Sequence, residues 1–379
     1  MASLPPLTPL PLDERGPSVP DIPRGPIFVV GPAGSGTTLM RLILDSHENI
    51  AIAQETGFAR VLLANEWVPF WEFGGEWYGR LGLSQEQLER ELGNFYGRLF
   101  AGFAAQRGAT RWGDKTPFHV WHLALLGRVF PDAVFIGMTR HPGAVASSTR
   151  RRMRHPWQRS VRFWVRDTIE MLHQGAALGE RFVVCRYEDL LTSPEQVLRE
   201  LFGWLGEPWS DQLLAFHEVH SDRGTDVEVE GATRSDRPLD ASRLDAWTTT
   251  MTPERWARLH KKRVAALCRL LGYQPGQPLP ASSWTDGGGS LLDGTGVRRR
   301  MRSGQGIRWA NRQRPSLANR PLTVQDLQRL RKRADAGRRS PEIIDRAGER
   351  AGDLGRRALL QLPPGGRRRV RALLQLARR

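Results

Sequence analysis

A short apolar run, PIFVV (Pro26–Val30), passes directly into GPAGSGTT (Gly31–Thr38) and then into TTLMRLILDS (Thr37–Ser46), whose apolar residues recur at helical spacing. A β-branched run entered from proline and left by glycine reads as a buried parallel strand. Strand, glycine-rich turn and helix in that order point successive backbone N–H groups at an anion, with the helix dipole behind them. The P-loop template G-x-x-x-x-G-K-[ST] is met at Gly31, Gly36 and Thr38, but Thr37 stands where the lysine belongs. The loop therefore suits a phosphate and lacks the cation that balances the outer phosphates of a triphosphate.

Two more apolar strands follow, AVFIGMT (Ala133–Thr139) and RFVVCRY (Arg181–Tyr187). Helical patterns cover Ser84–Gln106, Pro117–Val129, Pro142–Met153 and Trp157–Leu178. Strands alternating with helices predict an α/β fold with a parallel sheet covered on both faces. Ser193–Leu205 predicts a further helix with Ser193 as N-cap and Pro194 in its first turn. Pro253–Leu271 predicts another, ended by Gly272. Glu66–Tyr78, dense in Trp, Phe and Gly, reads as an insertion, a lid or the wall of an apolar pocket. Residues 1–24 read as a Pro-rich leader, 25–274 as the main domain, 275–297 as a Gly/Pro/Ser linker and 298–379 as a basic, partly helical extension.

The net charge of +16 belongs to that extension. From Leu291 onward there are 24 basic against 7 acidic residues, leaving 32 against 33 in the rest of the chain. The body is thus electrostatically an ordinary globular protein, and any nucleic-acid binding is expected to be non-specific and confined to the tail. Arg367–Arg379 sets Val370, Leu373, Leu374 and Leu376 among arginines, a pattern suited to an anionic membrane surface or an acidic partner. Cys185 and Cys268 are too few for a disulfide framework and are expected as buried thiols. His217 and His220 lack a third convergent ligand, so no metal site is expected there. With no signal-peptide pattern and no apolar run near the roughly 20 residues of a membrane span, the expected compartment is the cytoplasm.

The later strands end in Thr139-Arg140 and Arg186-Tyr187, with arginine where a triphosphatase would place an acid to hold Mg²⁺. A P-loop kinase is accordingly the weakest reading. Arg140 opens a helix on which Ser148 and Arg152 share a face, so the three suit a clamp on a second phosphate. A merely solvated arginine run is the alternative.

These segments carry a resemblance. GSGTTLMRLILDSHENIAIAQET, GDKTPFHVWHLALLGRVFPDAVFIGMTRHPGAVASS and RYEDLLTSPEQVLRELFGWLG look like the PAPS-dependent sulfotransferase family, in the branch of the tyrosylprotein sulfotransferases, over roughly Ile27–Tyr273. The resemblance implies a P-loop-like three-layer α/β/α domain with a mainly parallel central sheet. It implies 3′-phosphoadenosine 5′-phosphosulfate (PAPS) as cosubstrate, no metal, and a hydroxyl acceptor on a small molecule, sugar, lipid or peptide. Carried over residue by residue, Gly34, Ser35, Gly36, Thr37 and Thr38 fall on the 5′-phosphosulfate loop, and Arg140, Ser148 and Arg152 on the 3′-phosphate contacts. Tyr187 falls near the adenosine, Glu55 on the general base and Lys115 on a lysine beside the sulfuryl group. Two departures stand out. The family usually has Lys or Arg where this chain has Gly34, and again before the tryptophan of its late motif, where this chain has Ala246 before Trp247. Lys115 or Arg41 at the first position, and Arg243 at the second, are candidate replacements, and a weakened or non-catalytic nucleotide-binding relative stays open.

Overall fold

The computed structural model describes residues 25–59, 77–223, 237–242, 244–280 and 289–302. The chain divides into two units, Met1–Glu66 with Tyr78–Arg320, and Trp67–Trp77 with Pro321–Arg379; the sheet and its helices belong to the first. The leader, the Trp-rich stretch up to residue 76, Arg243 and the tail beyond residue 302 lie outside the described residues.

Six strands form one sheet: β1 (Ile27–Val30), β2 (Ile50–Gln54), β3 (Arg111–Lys115), β4 (Val134–Thr139), β5 (Phe182–Arg186) and β6 (Leu291–Asp293). Their order is β2-β3-β1-β4-β5-β6, parallel throughout except for β6. Alternation along β1 sends Ile27 and Val29 into one apolar layer and Phe28 and Val30 into the other, all fully buried. One layer is closed by α1 (Thr37–Asp45) and α7 (Pro194–Leu205). The other is closed by α2 (Gln85–Gln106), α3 (Leu123–Val129), α5 (Trp157–Leu178) and α10 (Lys262–Leu270). The three-layer α/β/α expectation holds.

The chain runs from β1 to β2 and β3 on one side, then returns to place β4 on the other. Strand order reverses at β1, and in such sheets the crevice beyond the strands' carboxyl ends at the reversal takes the ligand. The glycine loop leaves β1 at that point.

Several elements differ from the sequence reading. Strands β2 and β3 are not among the expected ones: IAIAQ is apolar but short and rich in alanine, and RWGDK is mostly polar. Strand β3 is nevertheless wholly buried, because its charges are satisfied internally. Arg111 donates to the Gly25 and Leu205 carbonyls and to Glu207, Asp114 accepts from Thr56, and Lys115 pairs with Glu55. Pro117–Trp121 is a 3-10 turn that precedes α3 rather than the start of one helix. The expected Pro253–Leu271 helix is two, α9 (Pro253–Leu259) and α10, separated by an extended Lys261. Ser193 stands at the N-cap of α7, but its side chain caps nothing.

The expected linker 275–297 contains β6 and the start of α11 (Gly294–Arg302). Strand β6 pairs antiparallel with Val183–Cys185, and α11 packs on α5. Glycine here serves close approach: a methyl group on Gly294 would lie 2.4 Å from the Gly179 carbonyl oxygen and 2.7 Å from that of Gly175. Leu292 and Val297 are buried in the same layer as α5. Both cysteines are free and buried, and burial pushes their thiols up.

Candidate active site

Between β1 and α1 the chain turns at Gly36, whose φ of +98° is left-handed. Glycine is required twice over, since a methyl group there would lie 2.4 Å from the Tyr187 ring. No side chain caps α1, and no acid sits in its first turn, so its amino terminus is left facing the crevice. This is the arrangement that binds an anion by backbone amides and dipole together.

The crevice is a cavity of about 600 Å³. Gly34, Gly36, Thr37 and Thr38 line it from the loop and first turn of α1; Glu55 lines it from the end of β2, and Arg140 from the end of β4. Ser148 and Arg152 reach it from α4 (Pro142–Met153), and Tyr187 from the start of α6 (Tyr187–Thr192). Lys115, the last residue of β3, does not itself line the cavity but bonds two residues that do, with Nζ 2.6 Å from Glu55 Oε1 and 3.4 Å from Thr38 Oγ1. Ser35 is the exception among the expected loop residues: its hydroxyl is fully buried and does not line the cavity. Most of the site thus sits at the carboxyl ends of successive parallel strands.

Three arginines line the cavity, and two of them, Arg140 and Arg152, have no carboxylate within ion-pair distance among the described residues. Arg140 lies over the Tyr187 ring, 4.1 Å from its centroid. Its Nε, and Nε and Nη2 of Arg152, are buried with no hydrogen-bond partner among the described residues. Burial lowers the Arg152 pKa, and the neighbouring Arg140 charge lowers it further. Two half-buried guanidiniums, with buried nitrogens whose donors are unused, make a receptor for anionic oxygens. Arg140 is held by its backbone: its carbonyl accepts from Trp164 Nε1 at 3.1 Å, and the following amide, of His141, donates to Glu188 Oε1 at 2.9 Å. Glu188 in turn accepts from the Tyr273 hydroxyl at 2.8 Å.

His141 itself is structural. Burial depresses its pKa to about 4, so the ring is neutral near pH 7. Its Nδ1 accepts from Gly143 N and its Nε2 lies 3.3 Å from the Gln274 carbonyl, which places the proton on Nε2. The ring stacks on Trp247 at 4.6 Å.

Glu55 and Lys115 form the other half of the site. Glu55 has φ +44°, a left-handed conformation costly for a residue with a side chain, and it persists where neighbours enforce it. Its N–H donates to the Lys115 carbonyl at 2.8 Å, and the next residue, Thr56, donates its hydroxyl to Asp114 Oδ2 at 2.6 Å. The Glu55 side chain is 54% exposed while that of Lys115 is 1% exposed. Burial lowers the Lys115 pKa, although Glu55 opposes the shift. The carboxylate is therefore open to a substrate while its partner is locked beneath it.

Asp114 corrects the expectation that the strand ends bear no acid. It precedes Lys115, the last residue of β3, but is fully buried, turned away from the cavity toward Thr56 and His119, whose Nδ1 is 3.2 Å from Oδ1. The sequence reading also missed Ser147, Arg151, Asp240, Thr249 and Thr250, which line the cavity with Trp247. Trp247 carried a signal through its late motif; the two threonines sit in a 3-10 turn with no pattern that singles them out.

The model of the Sulfotransferase family matches residues 26–211. Protein-tyrosine sulfotransferase A of Caenorhabditis elegans is 27% identical over 265 residues, 66% of this chain and 67% of its own length. Protein-tyrosine sulfotransferase 1 of Homo sapiens is 27% identical over 264 residues, 66% of this chain and 70% of its own. Among solved structures, a sulfotransferase domain from the curacin biosynthetic pathway is 20% identical, covers 66% of this chain and 98% of that one, and gives a TM-score of 0.46. The glycine loop and the arginines of the cavity agree with this likeness, which is to the Sulfotransferase family over residues 26–211 and, among relatives, to the protein-tyrosine sulfotransferases.

Proposed function

We propose that this sulfotransferase takes its sulfuryl group from PAPS and passes it to a phenolic hydroxyl, that of a tyrosine side chain, with Glu55 as the base. One observation carries the reading: an uncapped helix amino terminus and two arginines without an ion-pair partner among the described residues face the same cavity as Glu55, whose carboxylate Lys115 holds from beneath. The donor carries two separate anionic centres, and the residues fit them. The loop amides with Thr37 and Thr38 suit one, and Arg140, with Ser148 on the same wall, suits the other. PAPS supplies, when bound, a sulfuryl group on a phosphate leaving group.

The protein's part is set by its charges. Glu55, open to solvent yet anchored to Lys115, takes the acceptor's proton by hydrogen-bond reach. Lys115 spans from Glu55 to Thr38 and so ties the base to the loop that holds the donor. Its buried ammonium favours negative charge beside the transfer point, where donors fixed in advance stabilise the transition state. The tyrosine acceptor rests on the names of the relatives.

Glu55→Gln tests this. Turnover of a tyrosine peptide, followed by mass spectrometry of the sulfated product, should fall by about 10²-fold or more, with the affinity for adenosine 3′,5′-bisphosphate in calorimetry unchanged. Wild-type turnover in the variant would remove Glu55 as base. A wild-type protein that binds the bisphosphate tightly but sulfates no hydroxyl acceptor would make the chain a non-catalytic relative.

A further inference from the structure

The loop has no cation of its own, and the structure shows what fills the space. Gly34, at φ +91°, has no side chain, and a methyl group placed on it would lie 3.1 Å from Nη2 of Arg152 and 3.4 Å from Ser148 Oγ. The guanidinium of Arg152 therefore lies against the turn that leads into α1. Its Nε and Nη2 are buried and bond nothing among the described residues. The other cations near the loop are placed differently. Lys115 is tied to Glu55 at 2.6 Å, Arg140 rests on the Tyr187 ring, and Arg41 is buried without lining the cavity.

We propose that Arg152 is a catalytic residue of the transfer itself, a leaving-group cation delivered to the loop from α4 in place of a side chain at position 34. The inference rests on the PAPS reading above, and it reassigns Arg152 from the donor's 3′-phosphate to its 5′ end. In the reaction, the acceptor oxygen bonds to sulfur as the bond from sulfur to the 5′-phosphate oxygen breaks. The electron pair stays on that phosphate oxygen and the acceptor's proton goes to Glu55. Arg152 remains protonated throughout and balances the charge that grows on the departing phosphate. A fork of unused donors lying on the loop suits this role, because it needs no rearrangement when the charge appears. The same geometry explains how a chain with glycine at position 34 keeps a charged loop: the glycine leaves room for the guanidinium.

Calorimetry with three nucleotides separates the possibilities. Arg152→Gln should weaken 5′-AMP by about 10-fold or more and leave 3′-AMP unchanged, with adenosine 3′,5′-bisphosphate following 5′-AMP. In turnover, kcat should drop by on the order of 10²–10³-fold, with a smaller change in the KM for PAPS. Arg152→Lys, which keeps the charge but not the fork, should fall between the two and serves if the glutamine variant does not fold. Gly34→Arg in the otherwise natural chain should lower both 5′-AMP affinity and turnover, because the space is taken and the backbone is left-handed. Loss of 3′-AMP binding with 5′-AMP intact would overturn the proposal, as would equal losses for both. A rise in turnover in Gly34→Arg would show that the cation is missing, and would overturn it too. A folded wild-type protein that binds none of the three nucleotides would instead sink the donor reading beneath it.

Discussion

Removing one hydroxyl, in Tyr273→Phe, probes how Arg140 is held at the cavity. Tyr273 is 1% exposed, and its phenol donates to Glu188 Oε2 at 2.8 Å; the other oxygen of that buried carboxylate accepts the His141 amide at 2.9 Å. Burial raises the Glu188 pKa, and the Arg140 charge, the His141 amide and the Tyr273 hydroxyl each pull it back. A hydrogen bond to a charged group contributes about 1.5–3 kcal/mol. At 2–4 °C per kcal/mol for a domain of this size, the variant should lose roughly 3–12 °C in Tm near neutral pH. The pH dependence has a definite sign. A carboxyl whose folded pKa lies above its unfolded value binds a proton on folding, so stability falls as pH rises through that window. Without the phenol the Glu188 pKa climbs further, and each added unit costs about 1.4 kcal/mol on the alkaline side. The gap in Tm between wild type and variant should therefore be widest near pH 8 and shrink as pH falls toward the ordinary Glu range. Circular dichroism melts across that range check it. A gap constant with pH, or one under about 1 °C near pH 8, would refute the assignment of Glu188 as a buried anion held by Tyr273.

Arg140→Ala should weaken adenosine 3′,5′-bisphosphate by about 2–3 kcal/mol, roughly 30- to 150-fold, and an unchanged dissociation constant would remove Arg140 from the site. The chain should not tolerate a stop after Tyr273, although the sequence places a domain boundary there. Such a cut removes Leu292 and Val297, each contributing about 1.5–3 kcal/mol of burial, and unpairs Val183–Cys185 at the sheet edge. A chain ending at Arg302 keeps both, so cooperative melting of the shorter chain at the same Tm as the longer one would contradict the packing of β6 and α11.

The local part of this protein was determined by its sequence: a strand, a glycine turn and a helix announce themselves because apolar period and backbone freedom are properties of neighbours along the chain. Arg140, Ser148 and Arg152 were legible for the same reason, as one strand end and one helix face, and the family resemblance put Glu55 and Lys115 beside them. What tertiary structure decided is everything that depends on a partner distant in sequence. The segment RWGDK could become a buried strand only because Glu207, Thr56 and Glu55 arrive to satisfy its charges. The Gly-rich stretch before Val297 reads as linker until Gly175 and Gly179 come close enough to demand glycine opposite them. Ser35 reads as a phosphate ligand, yet its hydroxyl turns inward. And the guanidinium lying against Gly34 comes from a residue 118 positions later, Arg152. A missing side chain is visible in a sequence; the group that occupies its space is set by the packing of α4 against the loop.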